Sequence, residues 1–474
     1  MSERPRIGRA AKRASAAVAV LAALAALAGC NASGNGRYES VPEPPWSGPK
    51  PEPVSGPMSR PTAIVLLIAD GGGFNQFKAS TFYGRGSSPA PAFGRFHIAL
   101  AVTTFPAGGS YDPERAWIEF YYPPVNPTDS AAAATALATG RKTANGRIAT
   151  DAHGASLETV LERAESVGML TGIVTSVPLS HATPAAFAAH TVARTDYAAI
   201  SSQMVFASGL DVLMGCGDPE TDNDGNRLSG AFRYDWIPES VWTALLSGTA
   251  ANDRDSDGDG DPWVLVRDAS SIEALARSSA FSHVIAVPAT HDTLQERRAG
   301  DSAADAFSVP FSDAVPSLAE MTVSALNLLS RGGDSFFLVV EGGAIDWANH
   351  SNLSGRMIEE TTAFERTVEA TLDWLEAAGR ADDTLVVVTA DHESGYLLGP
   401  GSGPSGFFAV VNGGTGAMPG LQWNSTGHTN SLVPFFARGP NARHFANDIS
   451  GFDSRRGWYV DNAAIGTRLI GMIE

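Results

Sequence analysis

AIVLLIAD, residues 63–70, is an unbroken apolar run closed by a carboxylate. It is short for a helix and lacks the alternation of a half-exposed strand, which is how a strand buried on both faces reads. Three further runs share the form: TGIVTSV at 171–177, FFLVVEGG at 336–343 and TLVVVTAD at 384–391, with helical patterns between them. Strands of this kind belong inside a mostly parallel sheet covered by helices, so the fold class expected is α/β.

Each run finishes at or just before a polar residue able to bind metal: Asp70, His181 after a short loop, Glu341, and Asp391 with His392. In open α/β sheets the ligand site lies at the carboxyl ends of the strands. A single Asp in such a place often does no more than cap a helix or form a turn. Four strand ends carrying ligand-type residues point to one shared site.

Upstream of the first run, Arg4, Arg6, Arg9, Lys12 and Arg13 precede the apolar stretch AAVAVLAALAALAG, which ends at Cys30. That stretch reads as a targeting segment and is too short to span a bilayer comfortably. Leu27-Ala28-Gly29-Cys30 resembles the lipobox of bacterial lipoproteins, which implies cleavage before Cys30 and lipid attachment to its sulfur. An ordinary signal peptide cut after a small residue is the alternative. The expected organisation is a lipoprotein signal peptide at 1–29, a disordered tether at 30–60 rich in Pro, Gly, Ser and Asn, and a catalytic domain at 61–474. Within it, about 205–330 is expected to be an insertion lying as a cap over the sheet edge. The protein would then be exported and lipid-anchored in the periplasm, at the outer membrane or at the cell surface, touching the membrane by its lipid alone.

The chain carries a net charge of −18, and loss of residues 1–29, with their five basic and one acidic side chains, makes it −22. Such a surface repels nucleic acid, which is excluded as a partner. Of the two cysteines, lipidation of Cys30 leaves Cys216 without an intramolecular mate, so it is expected to be a small buried apolar residue.

TDSAAAATALATGRKTANG, residues 128–146, places Ser130 at the start of an Ala-rich helix running to about Thr139, with Gly140 near its end. Asp129 or Ser130 could serve there merely as an N-cap. The same position also favours an alkoxide nucleophile and a bound phosphate. A serine hydroxyl needs a neighbouring base or a metal to lose its proton near neutral pH, and no GxSxG signature supplies the base. In VVEGGAIDWANHSN, Asp346 and His350 are four residues apart, on one face of a helical turn, a carboxylate and an imidazole suited to zinc. Asp70 precedes Gly71-Gly72-Gly73, and His428 within TGHTN adds an imidazole from a loop, so the ligands suffice for two or three metals. In the insertion, NDRDSDGDGDPW alternates Asp253, Asp255, Asp257, Asp259 and Asp261 around Gly258, but position 264 is Val where a calcium loop closes with Glu. A solvated acidic loop is the expectation.

ADGGG, DSAAAATALATGRKTANG, HATPAAFAAH, EGGAIDWANH, TADHESG and TGHTNSLVPFFARGP, in that order, resemble the successive signature segments of the alkaline phosphatase family. The likeness covers most of 62–204 and 334–441. It implies a three-layer α/β/α sandwich and hydrolysis of small phosphate monoesters through a phosphoserine on Ser130. It implies one zinc held by Asp70, Asp391 and His392 against Ser130, and a second held by Asp346, His350 and His428. A magnesium would take Asp70 as a bridging ligand with Thr183 and Glu341, oxygen donors that suit a hard cation. Arg194 matches the phosphate-clamping arginine, whose guanidinium can grip two phosphate oxygens. The sequence departs from some relatives at His181 and Trp347, both expected behind the ligands of the third metal, where His181 could instead touch it directly. A homodimer is implied by the resemblance alone. A phosphodiesterase or sulfatase-like relative and a phosphate-binding lipoprotein without turnover are the rival readings.

Overall fold

A computed structural model describes residues 49–86, 91–253, 258, 260–280 and 283–473. Within these, the four apolar runs are strands: β1 (Ala63–Ala69), β3 (Leu170–Pro178), β7 (Phe336–Gly342) and β8 (Thr384–Ala390). The others in the same sheet are β2 (Ile98–Thr103), β4 (Val212–Cys216), β5 (Val264–Val266), β6 (Val284–Ala286), β9 (Val433–Arg438), β10 (Gly451–Asp453) and β11 (Gly457–Asp461). Their order across the sheet is β10-β11-β2-β9-β8-β1-β7-β3-β4-β6-β5. From β8 to β5 every pairing is parallel, and β9 runs antiparallel to both of its neighbours.

All of β1, β7 and β8 is buried, as strands covered on both faces must be. Two groups of helices provide the cover. One holds α1 (Phe74–Arg85), α6 (Leu318–Gly332), α7 (Ala344–His350) and α8 (Ser354–Ala377), packed on one another through α8. The other holds α2 (Ser130–Thr139), α3 (Val160–Ser166), α4 (Ala182–Ala188), α5 (Tyr197–Phe206) and α9 (Asn462–Ile473), in which α2 packs on both α4 and α9. The architecture is the three-layer α/β/α sandwich, with a large, mostly parallel central sheet, and the described residues fall in one compact unit, Val41–Glu474.

The region expected as a cap differs from expectation. It extends the sheet, because its apolar runs VLMGC and VIA pair in parallel beyond β3 as β4 and β6. The polar, Gly-rich stretches around those short strands masked them in the sequence. Cys216 ends β4, fully buried, with its thiol donating to the Ser176 carbonyl. The leader, Cys30 and the tether as far as residue 48 lie outside the described residues, as do Asp255, Asp257 and Asp259. Residues 49–60 form no helix or strand, yet Val54 exchanges two hydrogen bonds with the Asn447 amide and Met58 packs on the core. Among the described residues no helix is long and apolar enough to cross a membrane.

Candidate active site

The sheet register builds the site. Ala69 of β1 lies opposite both Ala390 of β8 and Gly342 of β7, and Glu341 faces Thr175 of β3. Three parallel strands, β1, β7 and β8, therefore stop level with one another while β3 runs on to Pro178, and the residues that follow β1 and β8, Asp70 and Asp391, emerge side by side at their carboxyl ends. Gly71 makes the approach of α7 feasible: its φ is +74°, and a Cβ there would stand 2.8 Å from the Asp346 Cα. Its N–H donates to Asp391 (3.1 Å) and its carbonyl accepts from the Asn349 amide (2.9 Å), which locks the strand-to-helix turn.

Ser130 is the first residue of α2, as expected, and 1% exposed. Asp129 is the N-cap, and its two carboxylate oxygens are divided between tasks: Oδ1 accepts from Ala132 N (2.9 Å), while Oδ2 accepts from Gly146 N (2.9 Å) and from the Arg194 guanidinium (3.0 Å). Arg194 is thus fixed beside the serine by the residue that starts the serine's helix. Gly140, in the left-handed conformation at φ +68°, ends α2.

Around Ser130 the predicted ligands gather in three overlapping groups: Asp70, Asp391 and His392; Asp346, His392 and His428; and Asp70, His181 and Glu341. In each, one candidate ligand atom per residue lies within 4.8 Å of the others. His392 Nε2 is 3.2 Å from Ser130 Oγ, 3.2 Å from Asp391 Oδ2 and 3.5 Å from Asp70 Oδ1. His350 Nε2 is 3.2 Å from Asp346 Oδ2 and 3.0 Å from His428 Nε2, so the expected trio of Asp346, His350 and His428 also converges. Thr183 stands beside Glu341. His181, expected behind the ligands, stands among them, and the Trp347 ring lies 5.7 Å from its own.

This centre is electrostatically incomplete as protein alone. Burial, followed by the charges of Asp391, Asp346 and Glu341, pushes the Asp70 carboxyl far up. Burial and then Asp346 do the same to Asp391, and burial lifts Glu341 to about 7. Burial drives the His392 imidazole far down, with His428 adding to it, and takes His181 down to about 3. Asp346 goes the other way: burial raises it, but the His350 hydrogen bond and the charges of His428 and His350 outweigh this and hold it below the usual range. Both oxygens of Asp70, Asp391 Oδ2, Glu341 Oε1 and His181 Nδ1 are buried without a hydrogen-bond partner. Buried lone pairs of one sign, crowded together and unsatisfied, fit divalent cations, and the donor set of imidazole and carboxylate matches such ions.

The sequence reading missed the residues that hold the ligands. The Ser394 hydroxyl donates to Asp346, and the Thr175 hydroxyl to Glu341. Glu393 is buried and accepts from Gln76 (2.9 Å) and from the Thr429 hydroxyl, tying β8 to α1 and to the His428 loop. Thr175 carried a readable signal, a hydroxyl inside an apolar strand. Glu393 and Ser394 carried only adjacency to His392.

Comparison with known proteins agrees with this geometry. The family model for alkaline phosphatase matches residues 63–412. The alkaline phosphatase of Escherichia coli (strain K12) is 30% identical over 442 residues, covering 85% of this chain and 86% of that protein. The cold-active alkaline phosphatase of a psychrophilic Shewanella superposes with a TM-score of 0.62 at 23% identity, over 87% of this chain and 100% of that one. A histidine variant of the alkaline phosphatase from the Antarctic bacterium TAB5, solved with Mg bound in its M3 site, superposes with a TM-score of 0.60 at 22% identity, over 88% and 99%. At those identities the two structures speak to the fold.

Proposed function

This chain belongs to the alkaline phosphatase family and is a phosphatase, and from that premise we propose that it hydrolyses small phosphate monoesters through a phosphoserine on Ser130. The observation that carries the reading is the arrangement on His392. In a relay triad the serine and the carboxylate occupy opposite ring nitrogens. Here Ser130, Asp391 and Asp70 all face Nε2, a convergence on a point in space instead of a proton relay.

In this reading Asp70, Asp391 and His392 would hold one zinc, and Asp346, His350 and His428 a second. Asp70, Glu341 and Thr183 would hold magnesium, with His181 alongside. Such ions supply what no side chain here does, lowering the pKa of a bound hydroxyl and neutralising charge that builds on the phosphoryl and leaving oxygens. Arg194 binds two phosphoryl oxygens, turned toward Ser130 by Asp129. The first amides of α2 add their partial positive charge at the same place. Ser130 Oγ attacks phosphorus in line, its bond to the leaving alcohol's oxygen breaks, and water then displaces the serine to release inorganic phosphate. Ser394 and Thr175 keep the Asp346 and Glu341 carboxylates aimed at the cations.

The proposal extends to the rest of the molecule: export, lipid attachment at Cys30 with the tether spacing the enzyme from the membrane, and a homodimer. Incubation with a radiolabelled monoester followed by acid quench tests the chemistry. Label is expected on Ser130 in the native protein and on no residue of Ser130→Ala, whose turnover falls by about a thousand-fold or more. Equal turnover by Ser130→Ala, or hydrolysis of matched diesters or sulfate esters in preference to monoesters, would overturn it.

A further inference from the structure

Asp129 is not alone in placing Arg194. The backbone that carries the arginine, residues 190–194, lies against residues 146–150, the stretch that follows α2. Ile148 and Thr191 exchange two backbone hydrogen bonds (2.9 and 3.0 Å), and the Arg194 N–H donates to the Gly146 carbonyl (2.8 Å). Asp129 fastens one end of this ladder, since one of its carboxylate oxygens accepts from both the Gly146 N–H and the Arg194 guanidinium. His190 fastens the other end. Its Nδ1 lies 2.9 Å from the Ala149 carbonyl oxygen, and its Nε2 lies 2.8 Å from Glu162 Oε1 on α3. Gln203 of α5 holds the His190 main chain, accepting from its N–H (2.8 Å) and donating to its carbonyl (3.2 Å).

Both ring nitrogens of His190 thus face acceptors, a carbonyl and a carboxylate, and only the imidazolium has two N–H groups to satisfy them. The Glu162 hydrogen bond, against burial and with help from the Ala149 carbonyl, raises the pKa of the ring in keeping with that geometry. Glu162 is the charged group that faces the ring. The neutral Gln203 meets it from α5 and a carbonyl from the 146–150 stretch, while α2 and α4 carry no titratable side chain. Ala149 needs the support it receives. Its φ is +40°, a left-handed conformation that a residue with a Cβ adopts at a cost, and its carbonyl is held by His190 and by the Leu157 N–H (2.8 Å). Loss of one ring proton leaves Glu162 or Ala149 opposite a bare lone pair, so the ladder loses one of its fastenings at that end.

We propose that His190 is a positioning residue for phosphate binding: as an imidazolium bridging Glu162 and Ala149 it braces the ladder that sets Arg194 against the phosphoryl group, and it slackens that brace when it loses a proton. The inference rests on the reading in which Arg194 grips phosphate. His190 touches no reacting atom and acts through Arg194.

The inhibition constant of inorganic phosphate, measured on the metal-loaded enzyme, reads the Arg194 grip with no leaving group present. His190→Gln, whose single amide nitrogen cannot stand at both ring positions, should weaken phosphate about five-fold at about pH 6.5. The gap to the native enzyme should close toward about pH 9, where the native ring also has one donor left. In an Arg194→Ala background the same substitution should change the constant by less than about two-fold. A loss equal at both pH values, a loss that persists in the Arg194→Ala background, or a constant like the native one throughout overturns the inference. If His190→Gln does not fold, Glu162→Gln carries the test, because Gln preserves the capping box with Thr159 while removing the charge that holds the proton. Phosphate binding by Glu162→Gln should then weaken at lower pH than in the native enzyme, and a native-like pH profile overturns the inference. Should Arg194→Ala itself leave phosphate binding unchanged, the reading of Arg194 as the phosphate grip falls instead, whatever the His190 variants do.

Discussion

Asp129 illustrates how much one side chain does at the residue scale. Its carboxylate starts α2, so that Ser130 is presented at a helix N-terminus, and its second oxygen orients Arg194. The two roles separate by mutation. Arg194→Ala should lower kcat/KM for a monoester by about a hundred-fold, the worth of a charge-assisted hydrogen bond to phosphate, with stability nearly unchanged. Asp129→Ala should lower kcat/KM by about ten-fold, since the guanidinium remains but is no longer aimed, and also cost about 1 kcal/mol of stability through the lost cap. Steady-state kinetics paired with denaturant titration reads both quantities. An Asp129→Ala protein as active and as stable as the native one would contradict the account. Much at this scale was legible in advance, because ligand chemistry is written in residue types: Asp70, Asp391, His392, Asp346, His350 and His428 all reach the centre. What holds them was not. Ser394 and Thr175 meet carboxylates of distant segments, a pairing that exists only once the strands are in register.

At the scale of elements, α2 and α8 make separate predictions. Gly140 closes α2 at φ +68°, and a Cβ there would stand 2.5 Å from the Thr467 hydroxyl of α9. Gly140→Ala should therefore destabilise by about 1–3 kcal/mol, through both the left-handed backbone and the α2–α9 contact. On α8, burial raises Glu360 to about 8, with Glu296 and Glu359 adding to it and Arg298 opposing. The ordinary value for an unfolded glutamate is about 4.3. The folded state thus keeps a proton that the unfolded chain gives up. This contribution to stability is complete below about pH 4 and fades as pH rises through about 8. Glu360→Gln, which cannot ionise, should hold its denaturation midpoint better than the native protein between pH 6 and pH 9, the difference growing by about 2 kcal/mol over that window. Parallel pH profiles of the two proteins would contradict it. The four central strands and the bounds of α2 were legible because period and punctuation are local properties. Strands β4 and β6 were not, since five-residue and three-residue runs among Gly, Asp and Pro become strands only by joining an existing edge.

For the whole molecule, the sheet is a device for bringing residues more than three hundred positions apart, such as Asp70 and Asp391, to one edge. The same convergence stores repulsion. Asp70, Asp391 and Glu341 are buried together and their unpaired oxygens are not satisfied by protein. Exhaustive chelation should accordingly abolish activity and lower the thermal midpoint, and zinc with magnesium should restore both. The repulsion sits at the ends of β1, β7 and β8, the middle of the sheet, so the loss should be felt globally. The central claim, that these side chains pair two divalent cations next to the serine, is tested most directly by anomalous scattering from crystals of the protein, recorded on both sides of the zinc absorption edge. Two zinc peaks are predicted, one among Asp70, Asp391 and His392 within bonding distance of Ser130 Oγ, and one among Asp346, His350 and His428. A map from protein grown and crystallised with zinc that shows no peak at either position would contradict the account.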